Sequence, residues 1–222
     1  GKHGFGNKKI GDRQYIPRPY DKSSRADRGE QGFVSLETIA PEADIITLHT
    51  PLVRKGVHPT FHLADDVFFS SLQRKPYFIN TSRGETTDTQ ALLKALDEGQ
   101  IAQCIIDVWE NEPEINIFLL DRCYIGTPHI AGYSADGKAN ATRMSLEALA
   151  RHFQLGEIPA IEPPHPTEPT IQAKSHALGL LKVYSPHTDS RTLKSQPERF
   201  EQLRGDYPFR REEQAYNFII EN

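Results

Sequence analysis

The chain reads as an α/β protein: a Rossmann-like parallel sheet with flanking helices, followed by a small C-terminal α+β domain. Three observations predict this. Short apolar runs suited to buried strands alternate with stretches of helical spacing, the pattern of parallel strands joined by crossover helices. Polar, chemically capable residues follow directly on several of those runs, as they do at the carboxyl edge of an open sheet. Five prolines then crowd residues 159–169 and separate the pattern from a final segment of different character.

The elements follow in chain order. Residues 1–30 are polar, rich in Gly, Lys and Arg, and show no apolar periodicity. Residues 34–40 (VSLETIA) have helical spacing, and 43–49 (ADIITLH) form a strand that ends before Pro51. A helix over 63–72 sets Leu63, Val67, Phe68 and Leu72 on one side, and 77–80 (YFIN) is the next strand. Asp88 caps a helix through 91–96 that Gly99 stops. Strands follow at 104–108 (CIIDV) and 124–126 (YIG). Ser134 caps a longer helix through Phe153, ended by Gly156. The prolines make 156–170 an extended spacer. Beyond it, 171–184 and 195–203 carry apolar residues at helical spacing, and 215–220 alternates as a terminal strand would. The predicted domains are therefore 1–155, with its N-terminal part degenerate or truncated, and 171–222. A tail of that size is small for a self-sufficient core and is expected to pack on a partner.

Composition narrows the function. Lys plus Arg number 26 against 30 Asp plus Glu, a net charge of −4. That provides no basic field for the phosphates of a nucleic acid. The apolar runs fall far short of the roughly 20 residues that span a bilayer, so no membrane partner is expected. Two cysteines, Cys104 and Cys123, make neither a disulfide framework nor a metal-ligand spacing, which predicts a reducing, cytoplasmic setting and no metal. The chain opens on Gly1 and holds a single Met, as if cut from something longer.

Four polar segments fall at the predicted strand ends: HTPL (49–52), NTSRGE (80–85), DVWENEP (107–113) and GTPHIAGYS (126–134). Arg83 offers a planar fork that matches a carboxylate, and Gly84 behind it permits close approach to the backbone. His129 can exchange a proton near neutral pH, and a carboxylate on its second nitrogen would fix the tautomer, with Glu112 as the candidate partner. Taken singly, each has a plain structural reading: a solvated Arg, a structural His beside Pro128, a Glu-Pro turn, an Asp107 that caps the turn after its strand. Their common placement at one sheet edge favours a site.

These four segments, in this order, resemble the D-2-hydroxyacid dehydrogenases. The tail from Phe200 to Glu212 favours one member of that family, whose substrate is a small phosphorylated hydroxy acid. The resemblance implies NAD as cofactor and hydride transfer from the 2-carbon of the acid. It makes His129 the acid/base, Glu112 its carboxylate partner, and Arg83 the residue that holds the substrate carboxylate. It assigns Thr50, Asp107 and Gly132 to contacts with NAD, Tyr133 to the substrate, and Asp21 to the adenosine ribose. It also implies that 1–155 is the NAD-binding domain and that the tail is a dimerisation domain making a homodimer.

The sequence departs from that pattern near its start. Only Gly4-Phe5-Gly6-Asn7 matches the glycine turn, Lys9 stands at the third glycine position, and no segment supplies the N-terminal substrate domain that the family carries. An alternative to the enzyme therefore stays open: a non-catalytic fragment, or an NAD-sensing dimerisation module of the same fold.

Overall fold

The computed structural model describes residues 34–221, together with the backbone of residues 9–10 and 13–14. The glycine turn and Asp21 lie outside the described residues. The chain divides into two compact units, Gly1–Cys104 and Ile105–Asn222.

In the first unit, β1 (Lys9–Ile10) and β2 (Arg13–Gln14) pair antiparallel. After α1 (Leu36–Ile39), strands β3 (Ile45–Leu48) and β4 (Tyr77–Asn80) pair parallel, with Ile45 opposite Tyr77 and Leu48 opposite Asn80. Their crossover carries α2 (Asp66–Ser70), and α3 (Thr89–Asp97) follows β4. Ile46, Leu48 and Phe78 point into the core with Leu92 and Ala95 of α3. Phe69 meets Phe78 edge to face at 5.2 Å between ring centroids. The cap at Asp88 is as the sequence predicts: its Oδ1 accepts from the N–H groups of Gln90 and Ala91. Helix α2 is shorter than expected and turned differently. Asp65 caps it, Phe68 and Phe69 are buried, and Val67 is left 76% exposed.

Strand β5 (Gln103–Ile106) crosses the division along the chain, with Ile105 and Ile106 in the second unit, where they pair parallel with β6 (Ile125–Gly126). Between them, α4 (Ile117–Arg122) is capped by Asn116 and buries Leu119 and Leu120. Gly126 sits where a Cβ would come within 2.7 Å of Leu120 Cδ1 and 3.0 Å of the Trp109 ring. Helix α5 (Ala135–Phe153) starts at the predicted cap, Ser134, whose Oγ accepts from the N–H of Gly137. It ends at Gln154, which adopts the left-handed conformation, so the expected stop at Gly156 comes two residues early.

The tail corrects the helix expected over 171–184. Residues Thr170–Ala173 form β7, parallel to β8 (Asn217–Ile220), and only His176–Val183 is helical (α6). Ser175 caps that helix, and the ladder with β8 takes the preceding apolar residues into a strand. The second expected helix, 195–203, is displaced as well. Helix α7 (Pro186–Ser195) ends where it was to begin, and α8 (Phe200–Gly205) follows a 3-10 turn. Helix α7 packs on β6, where Ser190 Oγ accepts from the N–H of Gly126 at 3.0 Å.

Candidate active site

In the second unit, the segment after β5 and the segment after β6 meet. Asp107, 3% exposed, is the organiser. Its Oδ1 accepts from Thr127 Oγ1 (2.6 Å) and the N–H of Ile130 (2.8 Å), and its Oδ2 from the N–H of Ala131 (2.9 Å). Its backbone carbonyl accepts from the N–H of His129 at 2.7 Å. A buried carboxylate with three donors fixes the loop between Thr127 and Ala131. That loop is bent enough to hold His129 at φ +57°, a conformation uncommon for a residue with a side chain. Trp109 closes the floor: it is buried and its indole N–H donates to the carbonyl of Thr127 at 2.9 Å.

The imidazole this loop presents is already partnered. His129 Nδ1 lies 2.8 Å from Glu112 Oε2, and Glu112 Oε1 accepts from the N–H of Trp109 at 2.8 Å. An ionised carboxylate only accepts, so the hydrogen of this contact belongs to Nδ1, and in the neutral imidazole the lone pair is on Nε2. Both side chains are largely covered, at 24% and 18% exposure. The arrangement is a base held by an orienting acid, with one nitrogen left to take a proton.

Tyr133 and Gly132 follow on the same segment. A Cβ at Gly132 would meet no atom within 4 Å, which leaves the backbone there open to close approach. The Tyr133 hydroxyl accepts from Arg204 Nε at 3.1 Å.

Residues of the tail, read from the sequence as a family signature and a dimerisation domain, bond the start of α5 directly after this segment. Asp136 takes Arg211 in a two-pronged pair (2.9 and 3.0 Å) and accepts from the N–H of Glu212 at 2.8 Å. Ser134 Oγ donates to Glu212 Oε1 at 2.5 Å, and the N–H of Ala135 donates to the carbonyl of Arg210 at 2.8 Å. Arg211 also donates to the carbonyls of Pro163 and Pro164. The guanidinium holds the Asp136 carboxyl below the usual carboxylate range. The only sequence signal for this lock was the Arg-Arg-Glu run after Pro208.

In the first unit, Asn80 is buried at the end of β4 and arranges the residues after it. Its Nδ2 donates to the carbonyl of Arg83 and to Thr86 and Thr87 Oγ1, and its Oδ1 accepts from Ser82. Arg83 is exposed, and its Nη1 donates to the carbonyl of Ser82. Thr50, after β3, has a buried Oγ1 with no hydrogen-bond partner. A buried hydroxyl without a partner is a donor and acceptor left over for a polar ligand, so Thr50, taken within its own unit, fits a contact with a nucleotide cofactor. The structure thus brings together Asp107, Glu112, His129, Gly132 and Tyr133 in the second unit, and places Arg83 and Thr50 in the first. Among the described residues no cluster suited to a metal ion occurs, and no helix is long and apolar enough to cross a membrane.

A parallel sheet with flanking helices, and a carboxylate-backed histidine after its last strand, define the class as a nucleotide-binding α/β domain, and the comparisons agree. Residues 9–131 match the family described as D-isomer specific 2-hydroxyacid dehydrogenase, NAD binding domain. The chain belongs to that family, and NAD is the cofactor of this domain. The chain is 61% identical over 191 residues to the erythronate-4-phosphate dehydrogenase of Bacteroides thetaiotaomicron, covering 86% of this chain and 55% of that relative. It is 40% identical over 199 residues to the Porphyromonas gingivalis enzyme of the same name, covering 86% and 54%. The chain spans about half the length of the curated relatives it matches. Among solved structures, the holo form of Rhodotorula graminis D-mandelate dehydrogenase matches with TM-score 0.50 and 26% identity, over 67% of this chain and 42% of that one.

Proposed function

We propose that the protein acts as an erythronate-4-phosphate dehydrogenase, oxidising 4-phospho-D-erythronate to 2-oxo-3-hydroxy-4-phosphobutanoate in the synthesis of pyridoxal 5'-phosphate. The observation that carries the reading is the 2.8 Å pair of His129 and Glu112, in a chain of this family and with relatives of that name. When bound, NAD supplies a nicotinamide ring that accepts hydride from the 2-carbon. His129 Nε2 takes the proton of the 2-hydroxyl, and Glu112 stabilises the imidazolium that results through Nδ1. Arg83 pairs with the substrate carboxylate through its fork, and Tyr133 contacts the substrate. Thr50, Gly132 and Asp21 are assigned to the cofactor. Asp107 shares that assignment by family resemblance, and its three internal hydrogen bonds add a positioning role for the loop of His129.

The C-terminal segment, 171–222, is assigned to homodimer formation, with 1–155 as the NAD-binding domain and 156–170 as the linker. Ile219, Ile220, Leu178 and Leu181 support this, each between 42 and 50% exposed on the β7, β8 and α6 module. We place the reaction in the cytoplasm: Cys104 and Cys123 are buried and form no disulfide.

The test is turnover of 4-phospho-D-erythronate by the full-length enzyme. His129→Ala and Arg83→Ala each lower kcat/KM at least about a hundredfold while the fold is kept. Near-normal turnover by His129→Ala removes the reading. An NADH-dependent rise in Tm with no turnover in the unmutated protein favours a binding module instead.

A further inference from the structure

Three cations from two distant parts of the second unit gather about the Tyr133 ring and the Tyr207 ring that meets it edge to face at 6.2 Å. Lys138 Nζ lies 4.6 Å from the centre of the Tyr133 ring, the Arg204 guanidinium lies 5.9 Å from it, and Arg204 Nε donates to its hydroxyl. Arg210 Nη2 reaches the carbonyls of Ile130 and Ala131, the two residues after His129, at 3.3 and 3.5 Å. Its guanidinium is laid against the Tyr184 ring at 4.1 Å and near Tyr207 at 5.7 Å.

These cations are poorly neutralised. Arg211 next door is fully engaged by Asp136, but Lys138 and Arg210 are in no ion pair among the described residues. Arg204 has only Glu201, at 3.7 Å, whose side chain is 61% exposed. Arg210 Nε is buried with no hydrogen-bond partner, so the chain itself leaves this guanidinium incompletely bonded. Asp189 accepts from the Tyr207 hydroxyl at 2.9 Å and Glu212 from Ser134, and neither forms an ion pair with the three cations among the described residues. Because Arg204 donates to the Tyr133 oxygen, the phenolic hydrogen is directed to another acceptor.

We propose that Lys138, Arg204 and Arg210, set about the Tyr133 and Tyr207 pair, bind the phosphate group of the substrate. The proposal rests on the reading of His129 as the proton acceptor, since it puts the phosphate within a few residues of that imidazole. Two guanidinium forks, an ammonium and a phenol are a donor set for a tetrahedral dianion. They also explain why the tail is docked against the loop of His129: the tail supplies two of the three charges.

The test uses the full-length enzyme and two readouts. Binding of inorganic phosphate is followed by phosphorus NMR and by Tm, and turnover is compared for 4-phospho-D-erythronate and D-erythronate. Arg204→Met and Arg210→Met each weaken phosphate binding by about tenfold or more, and raise KM for the phosphorylated acid by a larger factor than for the unphosphorylated acid. Arg210→Lys recovers part of the loss. Lys138→Ala, on an exposed side chain, weakens phosphate several-fold and decides the matter if an arginine variant fails to fold. Arg143→Ala removes a charge farther along α5 and keeps wild-type phosphate binding. Unchanged phosphate affinity in the arginine variants, or an equal loss in Arg143→Ala, overturns the proposal. His129→Ala separates the two readings: it retains phosphate binding and loses turnover. If it keeps turnover, the assigned reaction fails while the anion site stands.

Discussion

Glu112 grips His129 with one carboxylate oxygen and the backbone of Trp109 with the other, each at 2.8 Å. The carboxylate is thus fixed before it fixes the imidazole, and its two functions can be separated by substitution. Glu112→Gln keeps a hydrogen-bond acceptor for Nδ1 but removes the charge that stabilises the imidazolium. It is expected to lower kcat roughly ten- to a hundredfold, less than His129→Ala, with Tm unchanged. Initial rates of NADH formation check the order of the two variants.

Asp107 serves the same loop from beneath. Asp107→Asn replaces one acceptor oxygen by a donor facing the N–H of Ala131 or the Thr127 hydroxyl. The expected loss is about 1–3 kcal/mol of unfolding free energy, with faster amide exchange at Ile130 and Ala131. Urea denaturation and exchange measured by NMR report the two effects independently.

The Asp136 and Arg211 pair gives the protein an acid-sensitive lock. The carboxyl is held below its ordinary value, chiefly by the Arg211 hydrogen bonds. Its contribution is therefore complete above the unfolded value of about 3.9 and disappears as pH falls through the lower folded value. Asp136→Asn should flatten that part of the acid limb in a plot of Tm against pH. Arg211→Met, which leaves a carboxylate only 12% exposed without its partner, should cost about 2–3 kcal/mol at neutral pH.

Thr50 offers a test with opposite signs in two assays. Its Oγ1 is buried and unpartnered, so Thr50→Val should leave Tm unchanged or raise it, by up to about 1 kcal/mol of stability. The same substitution should weaken NADH binding several-fold, read by fluorescence titration. A variant that binds NADH as tightly as the parent dissociates Thr50 from the cofactor.

Gly126 is a packing constraint. Gly126→Ala sets a methyl against the rigid Trp109 ring at 3.0 Å as well as against Leu120, and is expected to destabilise by about 1–3 kcal/mol. Tm, followed by tryptophan fluorescence, checks this directly.

What the sequence made legible was local. The caps at Asp88 and Ser134 follow from side chains that bond the next turn, and the pairing of Glu112 with His129 was anticipated from residue chemistry and strand ends. Residues 171–173 differ from the helical expectation because two apolar residues, Ile171 and Ala173, are too few to fix a period, and only the ladder with β8, more than forty positions on, selects the strand. Helix α7 escaped notice because its sequence is mostly polar and its signal is a proline at the first turn. The lock of Asp136 on Arg211, and the cations around Tyr133, join residues some seventy positions apart. Such contacts leave no trace in local periodicity.

That separation has a consequence for how the molecule is made. The loop bearing His129 leaves the ribosome 75 or more residues ahead of the guanidinium that bolts its flank. During synthesis it must wait in an unfinished form. Loss of the final stretch would therefore loosen the flank of the His129 loop from a distance, although no atom removed belongs to that loop.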